Sequence, residues 1–260
     1  MRGPSQRHAL GPRIARRACA GHSVSNDPAR NRIEMSGIGL LNEKPLHASL
    51  KGWCAQPGDR FEVAVDGFVI DIVRGDLLLE IQTANLASIK SKLTRLAGSH
   101  PIRLVYPIAQ EKWIVRLAKD DNSGTTRRKS PKRGRLEDLF WEMVSFPQLL
   151  ASPNFSLEVL MIREEEVRRY EGKRSWRRRG WVTEERRLLG VEEQRSYVEP
   201  ADWRAFLPED LGAFTARDLA EAISVSSHLA QKMVYCLRQV GVIELMGKRE
   251  RANLYRVTAA

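Results

Sequence analysis

Residues 71–83 read DIVRGDLLLEIQT, and the way they pair decides the fold. Gly75-Asp76 is a two-residue hairpin loop between two apolar arms. Such a loop fixes the register, because positions paired across it add to a constant. Arg74 faces Leu77, so Asp71 faces Glu80. Side chains alternate along a strand, which puts Asp71, Glu80 and Gln82 on one face and Ile70, Ile72, Leu79 and Ile81 on the other. Directly opposed residues have Cβ atoms about 5 Å apart, and like charges placed so destabilise a sheet. Two such carboxylates do not both stay ionised without compensation. A hard cation, Mg2+ or Mn2+, supplies it through one or two carboxylates and keeps waters for substrate phosphates. The plainer reading of a strand aspartate is an edge position or a salt bridge to arginine. Asp66 falls on the opposite side from Asp71 in an unbroken strand, and Asp66-Gly67 reads as a turn or bulge.

Outward from the hairpin, a helix, two or three strands, a helix and two strands follow one another. Asn42 is placed to cap the first helix, with Glu43 and Pro45 in its first turn and Leu46, Leu50 and Trp53 at helical spacing. RFEVAVDGFVIDIV (60–73) is rich in β-branched and aromatic residues and reads as one long strand or two short ones. NLASIKSKLTRLAG (85–98) is amphipathic, with Leu86, Ile89, Leu93 and Leu96 on one face. IRLVYPIA and KWIVRL read as two more strands. The fold class is α/β: a mixed sheet flanked by helices, plus a small C-terminal domain.

Five segments are expected. Residues 1–35 form a basic, proline- and glycine-broken tail, read as disordered, as a start placed too early before Met35, or less simply as a transit peptide. Residues 36–118 form the α/β domain and 119–135 a basic linker. Residues 136–200 form an α+β extension: a helix over LEDLFWEMVSFPQLL, a strand from Ser156, and a hairpin turning near Gly180. Residues 201–260 carry Thr215 as a cap, a turn at SVSS, a helix closed by Gly241, and two strands around a basic turn.

Composition narrows the partners. Lys and Arg number 43 against 32 Asp and Glu, a formal charge of +11, which favours polyanions over acidic partners. The three cysteines are far apart, which argues against a disulfide framework or a zinc site and for a reducing cytoplasm. No apolar run reaches the roughly 18 residues of a membrane helix, so no membrane partner is expected. RRKSPKRGR (127–135) offers Arg127, Arg128, Lys129, Lys132 and Arg133 to phosphates; KRSWRRRGW (173–181) offers Arg177, Arg178 and Arg179 between Trp176 and Trp181. Those tryptophans read better as hairpin core than as base-stacking platforms.

The order helix with Glu43, strand ending in Asp71, return strand with Glu80-Ile81-Gln82, helix, strand resembles the PD-(D/E)XK nuclease superfamily and its archaeal Holliday-junction resolvases. The resemblance covers residues 40–110 or so. It implies a restriction-endonuclease-like sheet and phosphodiester hydrolysis. It also implies a Mg2+ or Mn2+ site at Asp71 and Glu80, with Gln82 and Glu43 assisting. The departure is Gln82, where the family keeps a lysine. Lys90 on the next helix is the nearest replacement by position, against the plainer reading of a solvated face. The last fifty residues resemble a winged helix-turn-helix, which implies DNA contacts from His228, Gln231, Lys232 and Tyr235 on the second helix and from Lys248, Arg249 and Arg251 on the wing. The expectation is a divalent-metal-dependent endonuclease that binds DNA, branched or single-stranded, with a homodimer as a further possibility. A non-catalytic DNA-binding or regulatory protein on the same scaffold is the alternative, and a protein–protein adaptor a third class.

Overall fold

The computed structural model describes residues 44–120, 122–172 and 179–258. The tail, Glu43, Trp176, Arg177 and Arg178 lie outside the described residues. The chain is α/β, with one large mixed sheet between helices and a separate two-stranded sheet.

Helix α1 (Pro45–Cys54) starts at Lys44, not at the expected Asn42, and Pro45 occupies the first-turn position that tolerates proline. Strands β1 (Arg60–Val65), β2 (Phe68–Arg74) and β3 (Leu77–Ile81) form an antiparallel meander. Both turns follow the expected chemistry. Asp66 (φ 50°) and Gly67 (φ 82°) join β1 to β2, and Gly75 (φ 56°) opens the turn after β2. A 3-10 turn (Leu86–Ile89) leads into α2 (Lys90–Ala97). Strand β4 (Ile102–Arg116) then lies parallel to β3.

The two strands expected over 102–117 are a single strand. A bulge between Ala109 and Glu111 absorbs the break in the pattern, so the chain bends without leaving the sheet. Strand β5 (Thr126–Lys129) emerges from the expected linker and pairs with residues 113–116 of β4. Strand β6 (Phe155–Tyr170) is parallel to β4 along almost its whole length, and β7 (Trp181–Tyr197) returns antiparallel to it. The sheet order is β1-β2-β3-β4-β6-β7, with β5 on the upper part of β4. Residues 155–162 are buried without alternation, as a strand covered on both faces must be. The charged run Arg163–Tyr170 continues β6, and its last pair in the long hairpin is Tyr170 with Trp181.

The helix expected over 136–150 is broken into a 3-10 turn (Leu136–Leu139), one turn of helix α3 (Phe140–Met143) and a second 3-10 turn (Pro147–Ala151). Pro147 lacks the N–H that would continue it. A further 3-10 helix covers Pro200–Phe206. Helix α4 (Ala216–Ala222) is capped by Thr215, whose Oγ1 accepts from the Asp218 N–H at 3.3 Å. Helix α5 (Ser227–Val240) ends on Gly241 in the left-handed region, φ 87°. Strands β8 (Ile243–Arg249) and β9 (Ala252–Val257) form the last hairpin.

The sheet has two cores. On one face, Leu46, Leu50 and Cys54 of α1 pack on Ile72, Leu79, Ile81, Val105, Leu160 and Ile162. On the other, Leu93 and Leu96 of α2, Phe140 and Met143 of α3, and Met233 and Leu237 of α5 join one continuous cluster. The segments 36–118, 136–200 and 201–260 are therefore not separate domains. One sheet crosses the first boundary, and one core, with Phe140, Tyr197, Trp203 and Phe206 as its aromatic knot, crosses the second. Helical and hairpin patterns report local structure; they carry no sign of which apolar faces share a core.

Candidate functional site

Asp71 and Glu80 meet where the sheet forks. The Gly75-Asp76 turn sets Arg74 opposite Leu77, Val73 opposite Leu78 and Ile72 opposite Leu79. The next pair in that register is Asp71 and Glu80, and there the ladder between β2 and β3 opens. Asp71 Oδ2 takes the Ile81 N–H at 2.7 Å, so a side chain replaces the carbonyl of the neighbouring strand. Beyond this point β3 commits to β4, and the Gln82 N–H donates to the Val105 carbonyl at 3.0 Å. The β1–β2 ladder is interrupted at the same level. Phe61 pairs with Ile72 and Val63 with Ile70, while Glu62, with φ 54°, steps out to take Lys51 Nζ at 2.9 Å.

Two side chains from opposite helices reach the pair. His47 of α1 places Nε2 3.2 Å from Asp71 Oδ2. Lys92 of α2 donates to Glu80 Oε1 at 2.5 Å and to the Val69 carbonyl at 2.7 Å, bridging the two arms of the fork. Glu80 is buried, and its Oε2 has no hydrogen-bond partner. Burial, then the charge on Asp71, push Glu80 up to about 7, against the pull of Lys92. Burial works on Asp71 too. The hydrogen bond and charge of His47, the Ile81 N–H and Lys92 outweigh it and hold Asp71 below the usual carboxylate range. The pair thus divides its labour: Asp71 ionises readily, Glu80 reluctantly.

Gln82 is not part of this cluster. Its amide turns away to donate to the Ala84 carbonyl at 2.7 Å, as the chain leaves β3. Lys90 is exposed, and it is Lys92, two residues on, that reaches Glu80. The spacing 80/92 carries no local signal; only the packing of α2 across the fork brings these two together. His47 has the same origin on the other face. Among the described residues no group of three or more His, Cys, Asp and Glu is arranged as metal ligands.

Beside the fork runs a cleft of about 970 Å3. It lies where β4 has left β3 and not yet met β5, walled by Lys44–Leu46, Thr83–Ala84 and Lys132. Its floor is an ion network. Lys112 Nζ sits 2.7 Å from Glu164 Oε1 and 3.1 Å from Glu166 Oε2. Arg186 pairs with Glu164 and also donates to the Thr83 carbonyl at 3.0 Å. Burial opposes ionisation of Glu166, but Arg168, Lys112 and Thr183 prevail and hold it at about 2.

Several of the expected phosphate ligands are engaged within the chain. Arg127 binds Glu165 at 2.7 Å and lies 4.0 Å from the Trp113 ring. Lys129 and Arg133 share Glu111, at 2.7 Å and 2.9 Å. Arg128 and Lys132 are exposed beside them, and Arg179 is the left-handed residue before Gly180, φ 53°. Trp181 is buried in the hairpin under Arg116, 5.0 Å from its ring, as expected of a core tryptophan. At the β8–β9 hairpin, Lys248 and Arg251 are exposed. Arg249 folds back onto Asp218 and the Ala213 carbonyl, each at 2.9 Å. On α5, Gln231 and Tyr235 are exposed, whereas His228 and Lys232 lie against Trp141 of α3.

The family described as Domain of unknown function (DUF8091) matches residues 44–197, more than half of the 260-residue chain. The chain belongs to the DUF8091 family. The DUF8091 match runs from the start of α1 to the end of β7 and so contains the fork, the cleft and the whole large sheet, while α4, α5 and the last hairpin lie beyond it. An uncharacterized protein of Treponema pallidum (strain Nichols) is 29% identical over 221 residues, covering 84% of this chain and 87% of that one. No solved structure matches. No helix among the described residues is long and apolar enough to cross a membrane.

Proposed function

We propose that this DUF8091 protein is a nucleic-acid-binding phosphodiester hydrolase of the PD-(D/E)XK type, with its reactive centre at Asp71, Glu80 and Lys92. The observation that carries the reading is the buried, unpartnered Glu80 Oε2 at the fork, one strand across from Asp71. An orphaned carboxylate oxygen costs about 1–3 kcal/mol or more, and a protein keeps one where something else satisfies it. Topology supports the same reading: helix, three antiparallel strands, helix, and a fourth strand parallel to the third, with the acids where strands two and three part. So does Lys92, a cation within 2.5 Å of Glu80, which offers the charge that Gln82 lacks.

The donor set fits Mg2+ or Mn2+. Two carboxylates are enough for an ion that keeps waters and substrate phosphates as its remaining ligands. Asp71 and Glu80 would hold it, and it would supply an acidified water and neutralise phosphate charge. The chain's own residues have separate tasks. Lys92 holds Glu80 in place and presents positive charge at the fork. His47 and the Ile81 N–H orient Asp71 and keep it ionised. Lys44, at the cleft mouth, is placed to meet a phosphate of an incoming strand.

A scaffold without catalysis is the second reading. It draws on Lys92 and His47, which already compensate the two carboxylates within the chain. One assay separates the two. Branched, single-stranded and duplex DNA are incubated with the full chain, with and without Mg2+ or Mn2+, beside Asp71→Ala and Glu80→Gln. Metal-dependent cutting that both substitutions abolish supports hydrolysis. Equal cutting by the variants, or none by the wild type, leaves the scaffold reading.

A further inference from the structure

Trp141 is an exposed tryptophan set beside a helix that was expected to read DNA. Its neighbour Phe140 is fully buried against Trp203 and Phe206, so the single turn of α3 is anchored by one aromatic and displays the next. Trp141 keeps 40% of its surface exposed. Its ring meets the His228 ring edge-on, with centroids 5.1 Å apart. Lys232 Nζ lies 5.4 Å from the centre of the same ring. Residues three and four apart on a helix are neighbours, so His228, Lys232 and Tyr235 form one strip along α5, with Gln231 beside it. Tyr235 is 44% exposed. Aromatic, cation and aromatic therefore follow one another across an open surface built from two parts of the chain.

That arrangement argues against insertion in a major groove. The groove is about 12 Å wide and admits one helix, whose own diameter with side chains is about 10–12 Å. α3 stands against the N-terminal half of α5, the half that would have to enter. An open strip of rings with interspersed donors instead suits unstacked bases, whose faces lie on aromatics while the backbone meets the cations.

We propose that Trp141, Lys232 and Tyr235 form a stacking surface for single-stranded nucleic acid. The proposal rests on the nucleic-acid reading above but not on the chemistry at the fork. A single strand fits the patch better than a protein partner does because the chain carries +11 overall and the patch combines a cation with two partly exposed rings.

The test uses the full chain in EDTA and a fluorescein-labelled oligo(dT), with a duplex of the same length beside it, followed by anisotropy over a range of salt. Trp141→Ala is expected to weaken oligo(dT) binding roughly 5- to 150-fold. Its salt slope should stay that of the wild type, because no phosphate contact is lost. Trp141→Phe should recover much of the affinity. Lys232→Ala should flatten the slope by about 0.7, one phosphate's worth on a single strand. Thermal melts of each variant verify folding. If the wild type binds and Trp141→Ala binds equally well, the stacking surface is wrong while the nucleic-acid reading stands. If duplex binds more tightly and responds to Gln231→Ala but not to Trp141→Ala, α5 is a groove reader instead. If the wild type binds no oligonucleotide, both fail and the patch belongs to a protein partner.

Discussion

Replacing Glu80 by Gln tests whether the fork stores electrostatic strain. In the folded chain burial, then the Asp71 charge, raise Glu80 from 4.5 to about 7. In the unfolded chain both influences vanish, and a glutamate titrates near 4.3 or so. Between those values the folded state binds more protons than the unfolded one, so stability falls as pH rises through the window and then levels off. At about 1.36 kcal/mol per pH unit, the loss between pH 5 and pH 8 is roughly 2–3 kcal/mol. Asp71 acts with the opposite sign. Its lowered pKa contributes stability above its unfolded value, lost only as pH falls through the folded one, below this window. Glutamine cannot ionise, keeps the shape, and can still accept from Lys92. Urea unfolding in EDTA at the two pH values should therefore show Glu80→Gln losing roughly 2–3 kcal/mol less than the wild type, with unchanged m. In a body of this size that is roughly 4–12 °C in Tm. Millimolar Mg2+ at pH 8 should raise the wild-type midpoint and leave the variant's where it was. Parallel pH profiles for the two proteins would refute the load on Glu80.

Three further outcomes follow from the same coordinates. Lys92→Met strips a buried carboxylate of its partner and should cost about 3–5 kcal/mol by urea unfolding, while the double variant with Glu80→Gln should cost much less than the sum. Gly180 has φ +83°, and a Cβ there would fall 2.4 Å from Tyr170 Cε2 and 2.9 Å from the Gly172 carbonyl. Gly180→Ala should accordingly destabilise the β6–β7 hairpin by about 1–3 kcal/mol, read as an earlier thermal transition. Cys54 and Cys236 are buried, which pushes both thiols up to about 12. Peptide mapping should find neither alkylated by iodoacetamide at pH 8 in the native chain and both alkylated in guanidinium.

Much of the fold was legible because it is written locally. A two-residue turn with Gly75 at positive φ leaves a single register, which pairs the strands as far as Ile72 and Leu79 and brings Asp71 level with Glu80 where the ladder opens. Thr215 and Gly241 mark helix ends through hydrogen bonds that close within a few residues. Alternation along β3 separated Leu79 and Ile81 from Leu78, but the face expected of β2 is split: Ile72 packs with Leu79 and Ile81 under α1, whereas Ile70 joins the core on the other side. Where the hydrophobic pattern misled, a backbone detail overrode it. A bulge kept residues 102–116 in one strand, and Pro147 cut a helix that periodicity alone would continue.

The partners of long polar side chains were decided only in three dimensions. Lys90 and Lys92 are equivalent in the sequence, yet only Lys92 points across the fork, because α2 docks with that face toward Val69 and Glu80. Arg127 and Arg133 look free for phosphate until the fold sets them against Glu165 and Glu111. Trp141 and His228 lie far apart in the chain, and one shared core sets them ring to ring. The sequence by itself determined the hairpin, its register and the presence of two opposed acids, since turn geometry and side-chain alternation act over a few residues. The tertiary structure alone decided which cations compensate those acids and which remain for a ligand. That choice depends on how helices pack across the sheet, and packing is set by the whole apolar surface rather than by any one stretch of it.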